Sequence, residues 1–334
     1  MYELEIVPGL EKLTLDLLLA WHPPTVVLQT AKGRILFSTQ VPLPATPLSA
    51  AIAIYQVMVL PLPRPKALLG HQHWRSLMHA VGDTVRSMRP QTVSIGAAGK
   101  ESAVMQRLLT QLAQELGLQP VEKGDLHLRL RPSLIETGCW DVLIRMTARP
   151  WATRAWRIHN MPGALSGPVA AAVAAIANPQ PGAQVLNSGS GSGTLLIEMA
   201  RQTPDVLLHA LDNDPATLDI CQEHCAAASV RLRLLLLADA TLLPFANSTF
   251  DHIVCDLPFG QLVGSRPAIE HAYPRWLAES ARVLRSGGQM IAITHSIRLL
   301  DKVLAEQARI WHMRSVLPIT LNGLHPRIYV LQRR

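Results

Sequence analysis

The 334-residue chain is predicted to be an α/β protein in which a doubly wound, mostly parallel sheet fills the second half and an α+β module precedes it. Three observations predict this. In the second half, short apolar runs that suit strands buried on both faces alternate with helix-length segments, the pattern of parallel sheets. In the first half, helices and strands follow one another in no strict alternation. The length exceeds one ordinary domain, and a hydrophobic content of 49% can supply more than one core.

In chain order, "YELEIVP" alternates as a strand and "GLEKLTLDLLLA" carries helical spacing. "TVVLQT" and "GRILFST" read as a strand pair, followed by a Pro-rich connector from Val41 to Pro47. Helical stretches are expected near Leu48 to Met58 and from His73 to Ser87. A strand "TVSIGA", a helix "ESAVMQRLLTQLAQELG" closed by Gly117, and strands "LHLRLR" and "WDVLIRM" complete the module. Beyond it come strand "AQVLN", helix "TLLIEMARQ", strand "DVLLHALD", and helix "PATLDICQEHCAAA" with Pro215 in its first turn, where a missing N–H is tolerated. The strands "VRLRLLLLAD" and "FDHIVCD" follow, then a helix "AIEHAYPRWLAESARVLRSGG" closed by its glycine pair. Strand "QMIAIT", helix "IRLLDKVLAEQA" and strand "RIYVLQ" end the series. No internal repeat is evident.

Composition narrows the function. No apolar run reaches the roughly 18 residues of a membrane span, since "GALSGPVAAAVAAIA" is shorter and carries Pro168. The acidic, strand-like start is not a signal peptide, so the chain is placed in the cytoplasm, away from membranes. Its four cysteines (Cys139, Cys221, Cys225, Cys255) show no disulfide-framework spacing, as expected of a reducing compartment. Residues 1–160 hold 17 lysines and arginines against 11 acids, whereas residues 161–334 hold 14 against 13. The positive excess therefore sits in the first half, which points to a polyanionic partner there. Arg145, Arg149, Arg154 and Arg157 occur between Val142 and Asn160 with no intervening acid, and "HLRLR" sets His127, Arg129 and Arg131 on one strand face. These six arginines are the candidate nucleic-acid contacts.

The chemistry is concentrated at strand ends. "NSGSGSGT" opens the first helix of the second half, where glycines allow close approach of a ligand and the helix N-terminus favours an anion. Asn187, Gly189, Gly191, Gly193 and Thr194 are its candidate binding residues. The next strand ends at Asp212 and Asn213, the place where an acid takes a ribose diol. The third leads to Asp239 and Ala240, which suit an adenine ring. The fourth ends in "DLPFG". There Asp256 and a neighbouring main-chain carbonyl can accept the two N–H bonds of a nucleobase amine, and Phe259 can stack on the base, worth about 1–3 kcal/mol. Pro258 stiffens the turn that holds both. A dehydrogenase would account for the first two marks but not for the last.

These motifs, preceded by "MPGALSGPVAAAVAAIA", resemble the catalytic domain of the THUMP-domain tRNA (guanine-N2)-methyltransferases, class I enzymes that use S-adenosylmethionine. "YELEIVPGLEKLTLDLL" is similar to that family's ferredoxin-like start, and "SIGAAGKESAVMQRLLTQLAQELG" through "HLRLRPSLIETGCWDVLIRMTARPWATRAWRI" to its THUMP module. The resemblance implies a ferredoxin-like segment over 1–45, a THUMP RNA-binding domain over 46–158, and a Rossmann-like methyltransferase domain with a seven-stranded, mostly parallel sheet over 159–334. It also implies tRNA as partner, gripped at its 3′ end and methylated on an acceptor-stem guanosine, commonly position six. No obligate protein partner is evident.

Two positions depart from the family pattern. Asn187 stands for the usual Asp, and Leu257 for the commoner first proline. The acid-x-Pro-aromatic motif also serves adenine-N6 and other RNA or DNA amine methyltransferases, and a non-catalytic RNA-binding protein could retain the fold. Cys221 with Cys225, and His71, His73 and His79, could tempt a metal reading, but neither set is completed, so packing is expected. Trp151 and Trp156, flanked by arginines, suit either RNA stacking or burial.

Overall fold

The computed structural model describes residues 1–258 and 266–334, which divide into two compact units. Met1–Ile6 and Leu15–Trp151 form the first, and Val7–Thr14 with Ala152–Arg334 the second.

In chain order the first unit contains β1 (Tyr2–Ile6), most of α1 (Glu11–Trp21), β2 (Val26–Ala31), β3 (Arg34–Ser38), β4 (Ala51–Leu60), α2 (His71–Met88), β5 (Thr92–Ala97), α3 (Ala103–Leu116), β6 (Gln119–Pro120), β7 (Leu126–Pro132) and β8 (Trp140–Arg145). The strands join in one eight-stranded sheet, ordered β2-β3-β1-β4-β8-β7-β5-β6. The expected helix near Leu48 to Met58 is not formed, because β4 occupies that stretch and pairs antiparallel with both β1 and β8. Ile52, Ile54, Val57 and Val59 are branched at Cβ, and pairing on both edges rewards that stiffness more than a helix would. Helix α3 ends as expected, on Gly117 in the left-handed region at φ 65°. Leu126, Leu128 and Leu130 of β7 join the core under α2 and α3, while His127, Arg129 and Arg131 share the opposite face.

The second unit contains α4 (Gly167–Ala177), β9 (Gln184–Ser188), α5 (Thr194–Gln202), β10 (Leu207–Asp212), α6 (Pro215–Ala227), β11 (Leu234–Leu237), β12 (Phe250–Asp256), α7 (Arg266–Val283), β13 (Leu284–Thr294), α8 (Ile297–Glu306), β14 (Trp311–Pro318) and β15 (Arg327–Arg333). Its seven strands run β11-β10-β9-β12-β13-β15-β14, parallel throughout except that β15 is antiparallel to both neighbours. This is the Rossmann-like, mostly parallel sheet expected. Two details differ. Strand β14 is absent from the sequence-read elements, since "WHMRSVLP" is half polar, as an edge strand paired only with β15 can be. Gly287 and Gly288 do not close α7 but sit inside β13, at a register shift opposite the start of β12. Ile253, Cys255, Met290, Ala292, Tyr273 and Leu277 are among the side chains that fill the core between this sheet and α7. No helix among the described residues is long and apolar enough to cross a membrane.

Because β9 to β13 are parallel and adjacent, their C-terminal ends lie along one edge. That edge carries the sequence-read motifs.

Candidate active site

The turn after β9 is held by its neighbour. Gly189 and Ser190 both donate their N–H to the Leu211 carbonyl of β10 (2.9 and 2.8 Å), and Gly193 donates to the Ser190 carbonyl (3.0 Å). Gly189, Gly191 and Gly193 all have positive φ, so the path favours glycine. Their surroundings differ. A Cβ on Gly189 would press on the Trp276 ring at 3.0 Å and one on Gly193 on Cys221 Sγ at 2.8 Å, whereas one on Gly191 would meet nothing within 4 Å among the described residues. Open space in front of Gly191 is where a ligand can approach the backbone.

Asn187 is fully buried and donates from Nδ2 to the Ser190 carbonyl (3.4 Å). An aspartate there would set a carboxylate against that carbonyl, so the amide suits this turn. Asn187 Oδ1 and Ser188 Oγ are buried with no hydrogen-bond partner among the described residues. Orphaned polar atoms under a glycine turn fit a site that is completed by a ligand. At the end of β10, Asp212 accepts from the Gly191 N–H through Oδ2 (2.9 Å) and from Asp214 N–H through Oδ1 (3.2 Å), which fixes its carboxylate beside the turn. Asn213 next to it is exposed. Past β11, Asp239 is exposed and turns its own loop by accepting from Thr241 N–H (2.7 Å), while Ala240 is buried. The glycine turn, Asp212 and Asp239 thus stand at three successive strand ends.

Strand β12 is hydrogen-bonded to β9 and ends in Asp256, opposite Ile293 of β13. Burial pushes the Asp256 carboxyl up to about 7. The ladder continues one residue further, with Leu257 N–H donating to the Ile293 carbonyl (2.9 Å), and the Pro258 carbonyl accepts from the Tyr273 hydroxyl (2.7 Å). Among the described residues, the Asp256 carboxyl and the Leu257 carbonyl have no hydrogen-bond partner. Phe259, like Gly260, lies outside the described residues.

Residues 154–159 are tied to the same turn from below. Arg154 donates through Nε to Glu198 of α5 (2.7 Å), and the two side chains are only 8% and 0% exposed. Arg157 donates to the Leu165 carbonyl (2.7 Å) and to Thr194 Oγ1 (3.0 Å), at the first residue of α5. Thr194 Oγ1 is also 3.0 Å from Ser192 Oγ. His224 of α6, fully buried, accepts the His159 N–H at Nε2 (3.0 Å), so its proton resides on Nδ1 and is donated to the Ser192 carbonyl (2.9 Å).

The six arginines expected to meet RNA are not gathered into one free stripe. Arg129 pairs with Glu5 (2.9 Å) and lies over the Tyr55 ring (4.8 Å to its centre). Arg131 pairs with Glu3 and with the buried Asp141. Arg145, 7% exposed, donates to the carbonyls of Gly124, Asp125, Thr147 and Ala148. Arg154 and Arg157 are engaged as above. Arg149 is exposed and, among the described residues, its side chain has no hydrogen bond or ion pair, only the electrostatic influence it exerts on Asp125. A run of cations without acids nearby in sequence says nothing of acids that folding brings across, and Glu3 lies 128 residues from Arg131.

The remaining candidates take structural places. Cys221 and Cys225 are buried behind Gly193, Trp156 packs on His224 (5.6 Å), and Trp151 stands edge-on to Trp21 (5.8 Å). No group of three potential metal ligands occurs among the described residues. A cleft of about 920 Å³ lies at the opposite ends of the strands, lined in part by Arg201, Leu207 and Arg233, away from every group above. Tyr273 and Trp276 of α7, which meet the Pro258 carbonyl and the Gly189 turn, were not singled out in the sequence; an aromatic pair three apart on a helix facing a strand end is the signal that could have found them.

The family model for the RMKL-like methyltransferase domain matches residues 154–327. Over 191 residues the chain is 29% identical to a tRNA (guanine(6)-N2)-methyltransferase of Thermus thermophilus, covering 57% of this chain and 56% of that protein. Over 138 residues it is 34% identical to the U6 snRNA (guanine-N(2))-methyltransferase THUMPD2 of Mus musculus, covering 41% and 25%. The matched stretch is thus little more than half the length of the first relative. The crystal structure of TrmN from Thermus thermophilus has the same fold, with a TM-score of 0.77 at 22% identity over 100% of this chain and 99% of that one. SMU.472, complexed with SAH, follows at 0.66 and 14% over 98% and 97%.

Proposed function

The chain belongs to the RMKL-like methyltransferase family, and from that premise we propose that it transfers a methyl group from S-adenosylmethionine to the exocyclic N2 amine of a guanosine in tRNA. The observation that carries this reading is the Asp256-Leu257 turn at the tip of β12, hydrogen-bonded neighbour of the strand that ends in the glycine turn. Such adjacency brings an amine-accepting pair and a cofactor cradle to one place.

On this reading Asp212 takes the ribose diol, the backbone at Gly191 borders the cofactor, and Asp239 meets the adenine. Arg157, one of the candidate RNA contacts, donates to Thr194 Oγ1 at the N-terminus of α5, where a carboxylate would be received. When bound, the cofactor supplies a methyl already activated on a sulfonium. The protein's part is to hold the amine in line with it. Asp256 and the Leu257 carbonyl accept the two N–H bonds, and as the nitrogen gains the methyl, a carboxylate titrating near 7 is suited to take the proton it sheds. Stacking on the base is the role proposed for Phe259 from the sequence motif.

Both relatives' names support guanine N2, and that of the Thermus protein supports tRNA and guanine 6; the acceptor stem is our proposed location for the target. Residues 1–45 and 46–158 are read as the ferredoxin-like and THUMP parts that hold the tRNA 3′ end, with exposed Arg149 and half-exposed Arg129 as phosphate contacts. We further propose that the chain acts in the cytoplasm and without an obligate protein partner. The test is mass spectrometry of nucleosides from tRNA incubated with enzyme and cofactor. N2-methylguanosine is expected; N6-methyladenosine alone would establish an adenine enzyme, and no methylated nucleoside despite tight RNA binding would establish a non-catalytic protein.

A further inference from the structure

The Asp256-Leu257-Pro258 turn is held from both ends, and one of the two restraints comes from a side chain that cannot touch any substrate. Tyr273 of α7 is 0% exposed. Its hydroxyl donates to the Pro258 carbonyl (2.7 Å) and lies 2.9 Å from Thr294 Oγ1, which accepts the Ser296 N–H (2.9 Å). Proton counting gives the sense of this chain. A phenol has one proton, and Pro258 takes it, so Thr294 must donate to Tyr273. The links therefore run Ser296 N–H to Thr294, Thr294 O–H to Tyr273, and Tyr273 O–H to Pro258. Burial also pushes the Tyr273 hydroxyl up to about 12, which keeps it a donor at working pH.

The other end is the Leu257 N–H, bonded to the Ile293 carbonyl. With both ends pinned, Leu257 presents its carbonyl from a fixed peptide plane beside Asp256. The same helix also carries Trp276, three residues on, against Gly189 of the glycine turn. Gln307 holds the α7 backbone at the carbonyl of Pro274, between the two aromatics (2.8 Å). One helix thus abuts both the amine-accepting turn and the cofactor turn.

We infer that Tyr273, oriented by Thr294, is a positioning residue for the methyl acceptor: it sets the direction of the Leu257 carbonyl and the Asp256 carboxyl without contacting the base. The inference rests on the methyl-transfer reading of this site but not on the identity of the RNA or of the base.

Single-turnover and steady-state methylation of tRNA by Tyr273→Phe, Thr294→Val and Thr294→Ser, beside the wild type, test it. Tyr273→Phe keeps the ring and removes only the donor. It is expected to lower kcat by roughly ten- to a hundredfold, the scale of a misplaced reacting group, with KM for tRNA and the calorimetric Kd for S-adenosylmethionine within about twofold of wild type. Thr294→Val should fall between the two, Thr294→Ser should restore the wild-type rate, and Tyr273→Phe/Thr294→Val should be no slower than Tyr273→Phe, since Thr294 acts only through Tyr273. Retained cofactor binding certifies that each variant is folded. A wild-type kcat in Tyr273→Phe, or a loss shared equally by kcat and cofactor affinity, would overturn the inference. Absence of methylation by the wild type would instead count against the methyl-transfer reading itself.

Discussion

Replacing Asp256 by Asn should inactivate the enzyme and stabilise it, and the stabilisation should depend on pH with a definite sign. The carboxyl is raised from 3.8 to about 7 by burial. Between those values the folded protein keeps a proton that the unfolded chain has released, so stability falls as pH rises through the window. Three units at 1.36 kcal/mol each set the full penalty at about 4 kcal/mol above pH 8, and since the residue keeps some accessible surface that is the upper end. Near pH 5.5 roughly half of it is already present, so the advantage of Asp256→Asn over wild type should grow by up to about 2 kcal/mol between pH 5.5 and pH 8. In a domain of this size that is a widening of roughly 4–8 °C in Tm. Scanning calorimetry of both proteins at the two pH values measures it. The same titration should shape activity, with wild-type kcat rising about tenfold from pH 6 to pH 8 as the carboxylate forms. A Tm difference that is flat or shrinks with rising pH would mean that Asp256 is ionised throughout, and the assignment of its role by burial would fail.

Three further outcomes are expected. Asp212→Ala should weaken S-adenosylmethionine binding about thirtyfold, roughly 2 kcal/mol, because it removes both a charge-assisted ribose contact and the anchor of Gly191; unchanged calorimetric affinity would take Asp212 out of the site. Arg154→Ala leaves Glu198, whose carboxyl burial already raises, without its cation, and should destabilise by about 3–5 kcal/mol in denaturant titration; a change below about 1 kcal/mol would show that the pair is not a support. Gly9→Ala would place a methyl 2.0 Å from the Pro318 carbonyl oxygen at a φ of +99°. A measurable fall in Tm is expected, more than the roughly 1 kcal/mol of backbone strain alone, and a wild-type transition would show that this contact yields freely.

Much of the site was legible because its signals are local. A glycine turn, a Pro in a first helical turn and an acid at the end of an apolar run each express a backbone requirement within a few residues, and Asn187 to Thr194, Asp212 and Asp256 stand where that reading put them on the strand ends. Edges and partners were less legible. The strand at Ala51–Leu60 was read as helix because its period is blurred by burial on both faces, and only its two neighbours decide it.

The sequence by itself determined the βα order of the second half and which strand ends carry which polar groups, since turn chemistry and hydrophobic period act between near neighbours. Only the tertiary structure decided which acids the cations meet. Glu3 and Glu5 neutralise Arg131 and Arg129 across more than 120 residues of chain, and Glu198 meets Arg154 across 44. It likewise brought the Tyr273 hydroxyl to the Pro258 carbonyl and the Arg157 guanidinium to Thr194 Oγ1 at the first residue of α5. Electrostatic and hydrogen-bond partners are chosen by distance in space, and the chain's local pattern carries no record of which distant groups the folding of the sheet will bring within 3 Å.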